Sequence, residues 1–390
     1  MLVLPVEPNP LARLPLVGPC ERTAMLTIAW KNLWSEKGRF LFSVAGVAVA
    51  AMLLAFMLAL YSGWNERIAS YVQKVPAQVW VVQRGNESFF SASFFADAKL
   101  DEVRRVPGVV RVSSMLGRSV KIKEGSSAYD SYVLGFDEGG IGGPIHIKEG
   151  TGTPGAGEII VDDVLSRTAG FDLGDTVTVS DRPFKVVGIS TGGNNVIYQL
   201  SFVSKDEARK LVGLDGVEGF GLVETEPGRD LDVVAAINSN VDGVTAFRSS
   251  TYADMSRKVL QRSMLPILSV VLVLVFVVGA VVVGLTIYTA TLEKEREFGV
   301  MKALGTPNKF LAIAVIEQSL LCGLIGFALG EAGVLVASRF AERLVPQFVT
   351  LIRWQDAVIV LVGVGAMSLL AAFLPVQRVM RVDPLVVFKA

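Results

Sequence analysis

Long apolar stretches dominate the hydropathy pattern of the chain, and polar segments of very unequal length separate them. The apolar stretches are 40–62, 264–290, 310–337 and 357–374. A helix of about 20 mainly apolar residues crosses about 30 Å of hydrocarbon, and uncharged runs of this length are rare in soluble proteins. The pattern therefore predicts four transmembrane helices.

The segment 63–263, between the first two apolar stretches, is too long for a connecting loop, because loops beyond about 15 residues without secondary structure are uncommon. Strand patterns occur at 78–82, 117–123, 129–136, 176–179 and 184–189, and helical spacing occurs at 100–106, 204–212 and 231–238. We expect a folded α+β domain here. The segments 291–309 and 338–356 are short connections.

Local signals predict how two helices of this domain begin. Ser204 and Glu207 have the spacing of a capping box, in which each side chain binds a backbone N–H near the helix start. Asp162 and Asp163 are expected to be turn and cap residues. Residues 251–262 have a helical distribution that would continue the second apolar helix outward as a stiff lever.

Composition supports a membrane protein and disfavours several other classes. Hydrophobic residues make up 51% of the chain and charged residues 19%, and the mean hydropathy is +0.50. The 37 basic and 37 acidic residues cancel, whereas a nucleic-acid-binding protein needs a clustered basic surplus. With two cysteines and one histidine, a disulfide scaffold, a cysteine-rich zinc site and a histidine-dependent catalytic centre are not expected.

The distribution of charge predicts the orientation in the membrane. Segments 1–39, 291–309 and 375–390 together carry 12 basic against 7 acidic residues, whereas 63–263 carries 22 against 26. Basic residues beside a span favour the cytoplasm, and long domains are translocated largely regardless of charge. We expect both termini and 291–309 in the cytoplasm, the 63–263 domain outside, and a location in the inner (plasma) membrane.

The residues before the first span divide into two parts. Residues 1–24 are proline-rich and lack helical periodicity, so we expect a disordered extension and a natural start at Met25. Residues 25–39 alternate apolar and charged positions and place Trp30 and Trp34 four residues apart. This pattern predicts an amphipathic helix in the cytoplasmic interface.

The cytoplasmic connection 291–309 is unusually rich in local signals. It predicts a short helix that ends at Gly305, a favourable C-terminal capping residue, with Pro307 just beyond. Apolar residues at 298, 300, 301 and 304 alternate with charged ones. Such a helix is suited to docking into a groove of another protein, and the alternative is an ordinary connector lying on the membrane.

At this connection the sequence resembles a known family. The run Arg296-Glu297-Phe298-Gly299-Val300-Met301-Lys302-Ala303-Leu304-Gly305 resembles the coupling-helix signature of the FtsX/MacB superfamily of ABC transporter permeases. The segments Ala29-Trp30-Lys31-Asn32-Leu33, Leu173-Gly174-Asp175-Thr176-Val177 and Asp383-Pro384-Leu385 are similar to other family features. The four-span form is most similar to the DevC/HrtB-like branch.

The resemblance implies a polytopic α-helical membrane protein whose external α+β domain is a MacB-type periplasmic core domain between helices 1 and 2. It also implies that the chain pairs with a second permease copy and with two copies of a cytoplasmic ABC ATPase. The resemblance assigns ATPase coupling to nine residues of this run, namely Arg296, Glu297, Phe298, Gly299, Met301, Lys302, Ala303, Leu304 and Gly305. ATP and magnesium would bind to the ATPase, since no Gly-Lys-Ser or Gly-Lys-Thr of a P-loop occurs here.

Small and acidic residues within the third span are further candidates. Gly323, Gly326, Gly330 and Gly333 form a face that permits close helix packing, either within the four-helix unit or at a dimer contact. Carboxylates are costly inside an apolar span. We expect Glu317 to be a structural hydrogen-bonding partner rather than a substrate ligand, and Glu331 to reach the outer interface.

The external domain contains four phenylalanines within seven residues, Phe89, Phe90, Phe94 and Phe95. They are either part of its core or, on a loop, an apolar patch of the kind that marks a binding site. As a patch they would meet a lipid-like cargo or a periplasmic adaptor.

The sequence thus favours the permease subunit of an exporter that moves a hydrophobic or amphipathic cargo. Two alternatives within the superfamily remain open. One is a signalling subunit that activates a cell-wall hydrolase, and the other is a lipoprotein-release permease. A stand-alone enzyme is not expected.

Overall fold

The computed structural model describes residues 37–125, 127–194, 198–345 and 348–381. The predictions for 1–24, for the interfacial helix up to residue 36 and for Asp383-Pro384-Leu385 lie outside these residues. The chain divides into two compact units, which are described separately below. The first, the membrane unit, comprises the chain up to Ala55, Leu272–Leu335 and the chain from Trp354 onward. The second, the outer unit, comprises Phe56–Val271 and Val336–Arg353.

The helices of the described residues vary widely in length. They are α1 (Lys37–Ile68), α2 (Ser70–Lys74), α3 (Ala98–Arg104), α4 (Asp163–Ala169), α5 (Lys205–Val212), α6 (Asp230–Asn240), α7 (Ser249–Glu293), α8 (Glu295–Ala303), α9 (Asn308–Leu344) and α10 (Trp354–Arg381). The four longest, α1, α7, α9 and α10, each include a segment that is long and apolar enough to cross a membrane. The prediction of four membrane-spanning helices is confirmed.

These four helices run past the predicted apolar stretches at both ends. Pro375, which directly follows the fourth predicted apolar stretch, lies inside α10, which continues to Arg381. A proline removes one backbone N–H from the helix, but neighbouring helices and local adjustment make it tolerable in a membrane helix. The proline is buried, which fits this explanation.

The outer unit is built on a large mixed sheet. The strands of the described residues are β1 (Val79–Gln83), β2 (Phe95–Ala96), β3 (Val109–Glu124), β4 (Ser127–Phe136), β5 (His146–Gly150), β6 (Glu158–Asp162), β7 (Thr176–Val179), β8 (Arg182–Thr191), β9 (Gln199–Ser204), β10 (Val217–Glu218), β11 (Phe220–Thr225) and β12 (Val244–Arg248). The sheet has the order β12-β1-β11-β3-β4-β9-β6-β8-β5, and β7 pairs with both β3 and β8. The α+β class of this domain is confirmed.

Helix α5 begins at the predicted position but not by the predicted contacts. Ser204 adopts the extended conformation of an N-cap residue, yet its side chain makes no capping hydrogen bond. The Glu207 carboxylate is instead buried between two cations, 2.9 Å from Arg182 and 2.7 Å from Lys210. The capping-box prediction is therefore wrong, because the ion pairs hold the glutamate away from the N-cap.

Helix α4 has the aspartate cap that the sequence predicts. One carboxylate oxygen of Asp162 accepts a hydrogen bond from Val164 N at 3.0 Å, and the other accepts one from Gly193 N at 3.0 Å. The side chain is fully buried, and burial raises its pKa from 3.8 to about 7 in spite of these two hydrogen bonds. This aspartate ties the loop after β8 to the start of α4.

We expect this raised pKa to make stability depend on pH. Ionising Asp162 is harder in the folded state than in the unfolded state, so its contribution is fully present below about pH 4 and is lost as the pH rises through 7. Three pKa units correspond to about 4 kcal/mol as an upper figure. Asp162→Asn cannot ionise, so the difference between its unfolding temperature and that of the wild type should shift in favour of the variant as the pH rises from 5 to 8. The same difference at pH 5 and at pH 8 would contradict this.

Candidate functional site

The short helix α8 has the C-terminal cap that the sequence predicts. Gly305 has a φ of +95°, a conformation that side chains other than glycine rarely adopt. Gly305 N donates to Lys302 O and Thr306 N donates to Met301 O, each at 3.0 Å. These two bonds form a Schellman motif, which ends the helix sharply and fixes the direction of the chain into α9.

One side of α8 is held against the rest of the membrane unit. The Glu295 carboxylate forms an ion pair with Arg378 of α10 at 3.3 Å. The Lys302 ammonium donates to the carbonyl of Met380 at 3.0 Å, and Gly299 is buried. The end of α10 therefore positions α8 through residues that are distant in sequence.

The opposite side of α8 is exposed. It presents two charged residues at the start of the helix, Arg296 and Glu297, and two apolar residues one and two turns later, Val300 and Leu304. The Leu304 side chain is 82% exposed and that of Val300 is 43% exposed. Large apolar side chains this exposed, next to charges at a sharply capped helix end, are suited to insertion into a groove of another protein.

The structure thus divides the residues predicted for ATPase coupling into two groups. Arg296, Glu297, Ala303, Leu304 and Gly305 are exposed. Phe298, Met301 and Lys302 are half-buried and Gly299 is buried. The buried and half-buried residues hold α8 against the membrane unit and do not form part of its exposed surface. Gly299 in particular is not on the open face, because the contacts of Glu295 and Lys302 turn that side inward.

The glycines of the third span pack within the chain. An added Cβ at Gly326 would lie 2.5 Å from Val47 Cβ, and one at Gly330 would lie 2.7 Å from Ala51 Cβ. Gly333 faces Met52 of α1 in the same way, whereas Gly323 faces Ser368 of α10. Of the two predicted alternatives, the structure supports packing within the four-helix unit.

The two intramembrane glutamates differ in their surroundings. Glu317 is half-buried, and its carboxylate forms no hydrogen bond within the described residues, so the predicted structural hydrogen bond is not found there. Its carboxylate lies on a side of α9 that the chain covers only in part. Glu331 is also half-buried, but its Oε1 is fully covered and has no hydrogen-bond partner in the described chain.

The predicted phenylalanine patch does not form a surface. Phe89 is fully buried in the aromatic core with Tyr71 and Trp80, at ring distances of 5.3 and 5.7 Å. Phe95 is also buried, and the half-buried Phe90 and Phe94 pack against the core. Of the two alternatives that the sequence leaves open, the structure supports the core, since these rings pack among buried residues.

Models of two protein families match the chain. A model described as MacB-like periplasmic core domain matches residues 40–254, which is more than half of the chain. A model described as FtsX-like permease C-terminal matches residues 269–384. The chain belongs to the FtsX/MacB superfamily of ABC transporter permeases.

Relatives of this permease match over almost their whole length. An uncharacterized ABC transporter permease of Mycobacterium tuberculosis is 26% identical over 371 residues, which cover 92% of this chain and 98% of that protein. A protein of Staphylococcus epidermidis named "Putative hemin transport system permease protein HrtB" is 22% identical, with 92% and 98% covered.

Among solved structures, the periplasmic region of MacB from Actinobacillus actinomycetemcomitans is similar to this permease over 47% of the chain and 94% of that structure. Its sequence identity is 13% and its TM-score is 0.36.

Proposed function

We propose that this permease is the membrane subunit of an exporter, in which a separate ATPase drives movement of the external domain and efflux of a hydrophobic or amphipathic cargo. The observation that carries this proposal is the open face of α8, with Leu304 exposed at its capped end. ATP and magnesium would be held by two copies of a cytoplasmic ATPase, and this chain would bind no cofactor.

Helix α7 offers a direct mechanical connection for this coupling. It is a single helix of 45 residues that contains Pro266 and contributes residues to both units. Its first turns are fixed inside the outer unit, where Tyr252 OH donates to Asn86 Oδ1 at 2.8 Å and Ser256 Oγ accepts from Phe89 N at 3.1 Å. Its last residue, Glu293, comes two positions before α8, so a displacement of α8 would pull on the same helix that enters the external domain.

The exposure of α7 supports pairing with a second permease copy. Only 17% of the residues in its most apolar stretch are buried, against 28–39% in the other three spans. The exposed part of this stretch consists of large valine and leucine side chains, including Val273, Val277, Val281 and Leu285. Lipid can cover such a face, and a homodimer would bury part of it against the same face of the partner.

The charge distribution supports an orientation with both termini and α8 in the cytoplasm and the α+β domain outside the inner (plasma) membrane. The cargo class agrees with the name of the staphylococcal relative, since hemin is amphipathic. An adaptor at the external domain would extend the export path, but the phenylalanine segment does not offer it a docking surface.

The proposal can be tested by reconstituting the permease in lipid nanodiscs together with an ABC ATPase that co-purifies with it. We expect a complex of two permeases and two ATPases, whose ATP hydrolysis is faster than that of the ATPase alone. Efflux of a hydrophobic dye from cells should require both subunits. ATP-dependent binding of a cell-wall hydrolase, or release of lipoproteins, without dye efflux would instead support the alternative functions.

A further inference from the structure

An arginine-rich cleft of about 670 Å³ lies within the outer unit. Arg67 near the end of α1 and Arg339 and Arg343 near the end of α9 line it, together with Arg167 of α4. The loop residues Thr191–Gly192 and Phe348–Val349 complete its walls. Four guanidinium groups from three helices therefore surround one cleft.

The arginines of this cleft outnumber its carboxylates. Arg167 is paired with Asp163 at 3.2 Å. Glu342, the other acidic residue of the lining, accepts hydrogen bonds from Thr350 N at 3.3 Å and from its hydroxyl at 2.7 Å. Within the described chain, Arg67, Arg339 and Arg343 form no ion pair, so three guanidinium groups remain available to an anion.

The walls of the cleft are fixed by contacts that do not use these arginines. The backbone at Val349 packs directly against Gly63 of α1, and Leu351 N donates to Ala59 O at 3.0 Å. On the opposite wall, the buried carboxylate of Asp162 holds Gly193 to the start of α4. Arg339 and Arg343 are four residues apart on α9, so they share one face of the helix. The cleft is thus a built site rather than a chance gathering of surface residues.

The position of the cleft along the spans indicates its ligand. Arg67 and Arg343 each lie one residue before the end of a membrane-spanning helix, namely Leu41–Ile68 and Asn308–Leu344. These ends belong at the level of lipid headgroups on the outer side. Guanidinium groups bind phosphate with two parallel hydrogen bonds, and Phe348 and Val349 offer an apolar wall beside them.

We propose that this cleft binds a phosphate group, carried by an anionic phospholipid of the outer leaflet. Binding of this kind goes beyond ATPase coupling, and the outer-leaflet assignment rests on the proposed orientation of the chain. Arg339 and Arg343 would clasp the phosphate from α9, and Arg67 would contact it from α1. The ligand would thereby join the outer ends of the first and third spans.

The test uses the full-length permease without its ATPase, in nanodiscs of phosphatidylcholine that contain a small fraction of phosphatidylglycerol. Native mass spectrometry would count the phosphatidylglycerol retained per chain. The double variant Arg339→Gln/Arg343→Gln should weaken retention about tenfold or more, because it removes two charge-assisted contacts with the phosphate. Arg67→Gln, on a different helix, should weaken it in the same direction and provides a second reading if the double variant does not fold.

The control variant Arg104→Gln/Arg105→Gln removes the same charge from two exposed residues at the C-terminal end of α3 and should retain phosphatidylglycerol as wild type does. Equal losses in control and cleft variants, or full retention in the cleft variants, would overturn the site. Glycerol phosphate and inorganic phosphate, tested as soluble competitors, separate the two sources of phosphate. Weak competition supports the lipid, whereas arginine-dependent binding of the soluble anions as tight as that of the lipid would overturn the lipid assignment.

Discussion

A permease carrying Leu304→Asp is expected to insert and fold normally but to lose its ATPase. Leu304 is 82% exposed at the end of α8, so the substitution disturbs no packing within the chain. In a docked complex, the leucine would be desolvated in a groove, and an aspartate there would be buried without a partner. The loss of a central interface residue costs about 2–4 kcal/mol, which is about a 30-fold or larger loss of affinity. Co-purification of the ATPase and the stimulation of its hydrolysis are the measurements.

Two further variants show whether the loss of ATPase binding is specific to the open face of α8. Leu214→Asp places the same charge at an exposed leucine of the external domain and should leave ATPase binding unchanged. Glu297→Lys, which reverses a charge on the open face of α8, should weaken binding in the same direction as Leu304→Asp. If Leu304→Asp retained wild-type ATPase binding and stimulation, α8 would not be the docking helix.

The second large effect is expected in the packing of the first and third spans. A Cβ at Gly330 would lie 2.7 Å from Ala51 Cβ and 2.9 Å from both Ala48 O and Met52 N. Two of these atoms belong to the backbone of α1, so a rotamer change cannot relieve the clash, and the two helices must separate. We expect Gly330→Val to destabilise the protein by about 3 kcal/mol, at the upper end of the range for overpacking. The unfolding temperature in detergent is the measurement.

Gly363 of α10 is the matched control for this substitution. It also lies in a membrane-spanning helix, but an added Cβ there would meet nothing within 4 Å. Gly363→Val should leave the unfolding temperature unchanged or raise it slightly, because valine has a higher helix propensity than glycine. Equal unfolding temperatures for the two variants would contradict close packing at Gly330.

The parts of this structure that the sequence predicts well depend on local signals. Span length and apolarity predict α1, α7, α9 and α10, because lipid requires each span to satisfy its own backbone hydrogen bonds. The end of α8 is predicted by Gly305, since the Schellman motif is formed by residues within one turn. Helix α4 begins directly after its N-cap residue Asp162 for a similar reason.

The parts that the sequence does not predict depend on contacts between distant residues. The orientation of α8 is set by Arg378 and Met380, more than 70 positions away, and nothing in the local pattern indicates that Gly299 would face inward. Phe89 is buried because Trp80 and Tyr252, on opposite ends of the external domain sequence, meet around it.

The arginine cleft is not predicted by the sequence for the same reason. Its lining comes from four separated parts of the chain, and Arg67 and Arg339 are brought to one cleft only by the fold. The local sequence contains only a weak signal for this cleft, namely a basic residue near the outer end of each of two spans. Counting charges over whole segments predicts an orientation, but it does not show which basic residues the fold brings together.

We propose that ATP bound to the partner subunit moves the external domain through α8 and α7. Spin labels at Asp242→Cys, whose side chain is 96% exposed, would report the distance between the external domains of two permeases after the two natural cysteines are replaced. The measurement is pulsed electron paramagnetic resonance on the nanodisc complex with and without ATP. We expect a distance distribution that shifts with ATP in the wild-type complex and does not shift in Leu304→Asp. An unchanged distribution in a wild-type complex that is hydrolysing ATP would contradict it.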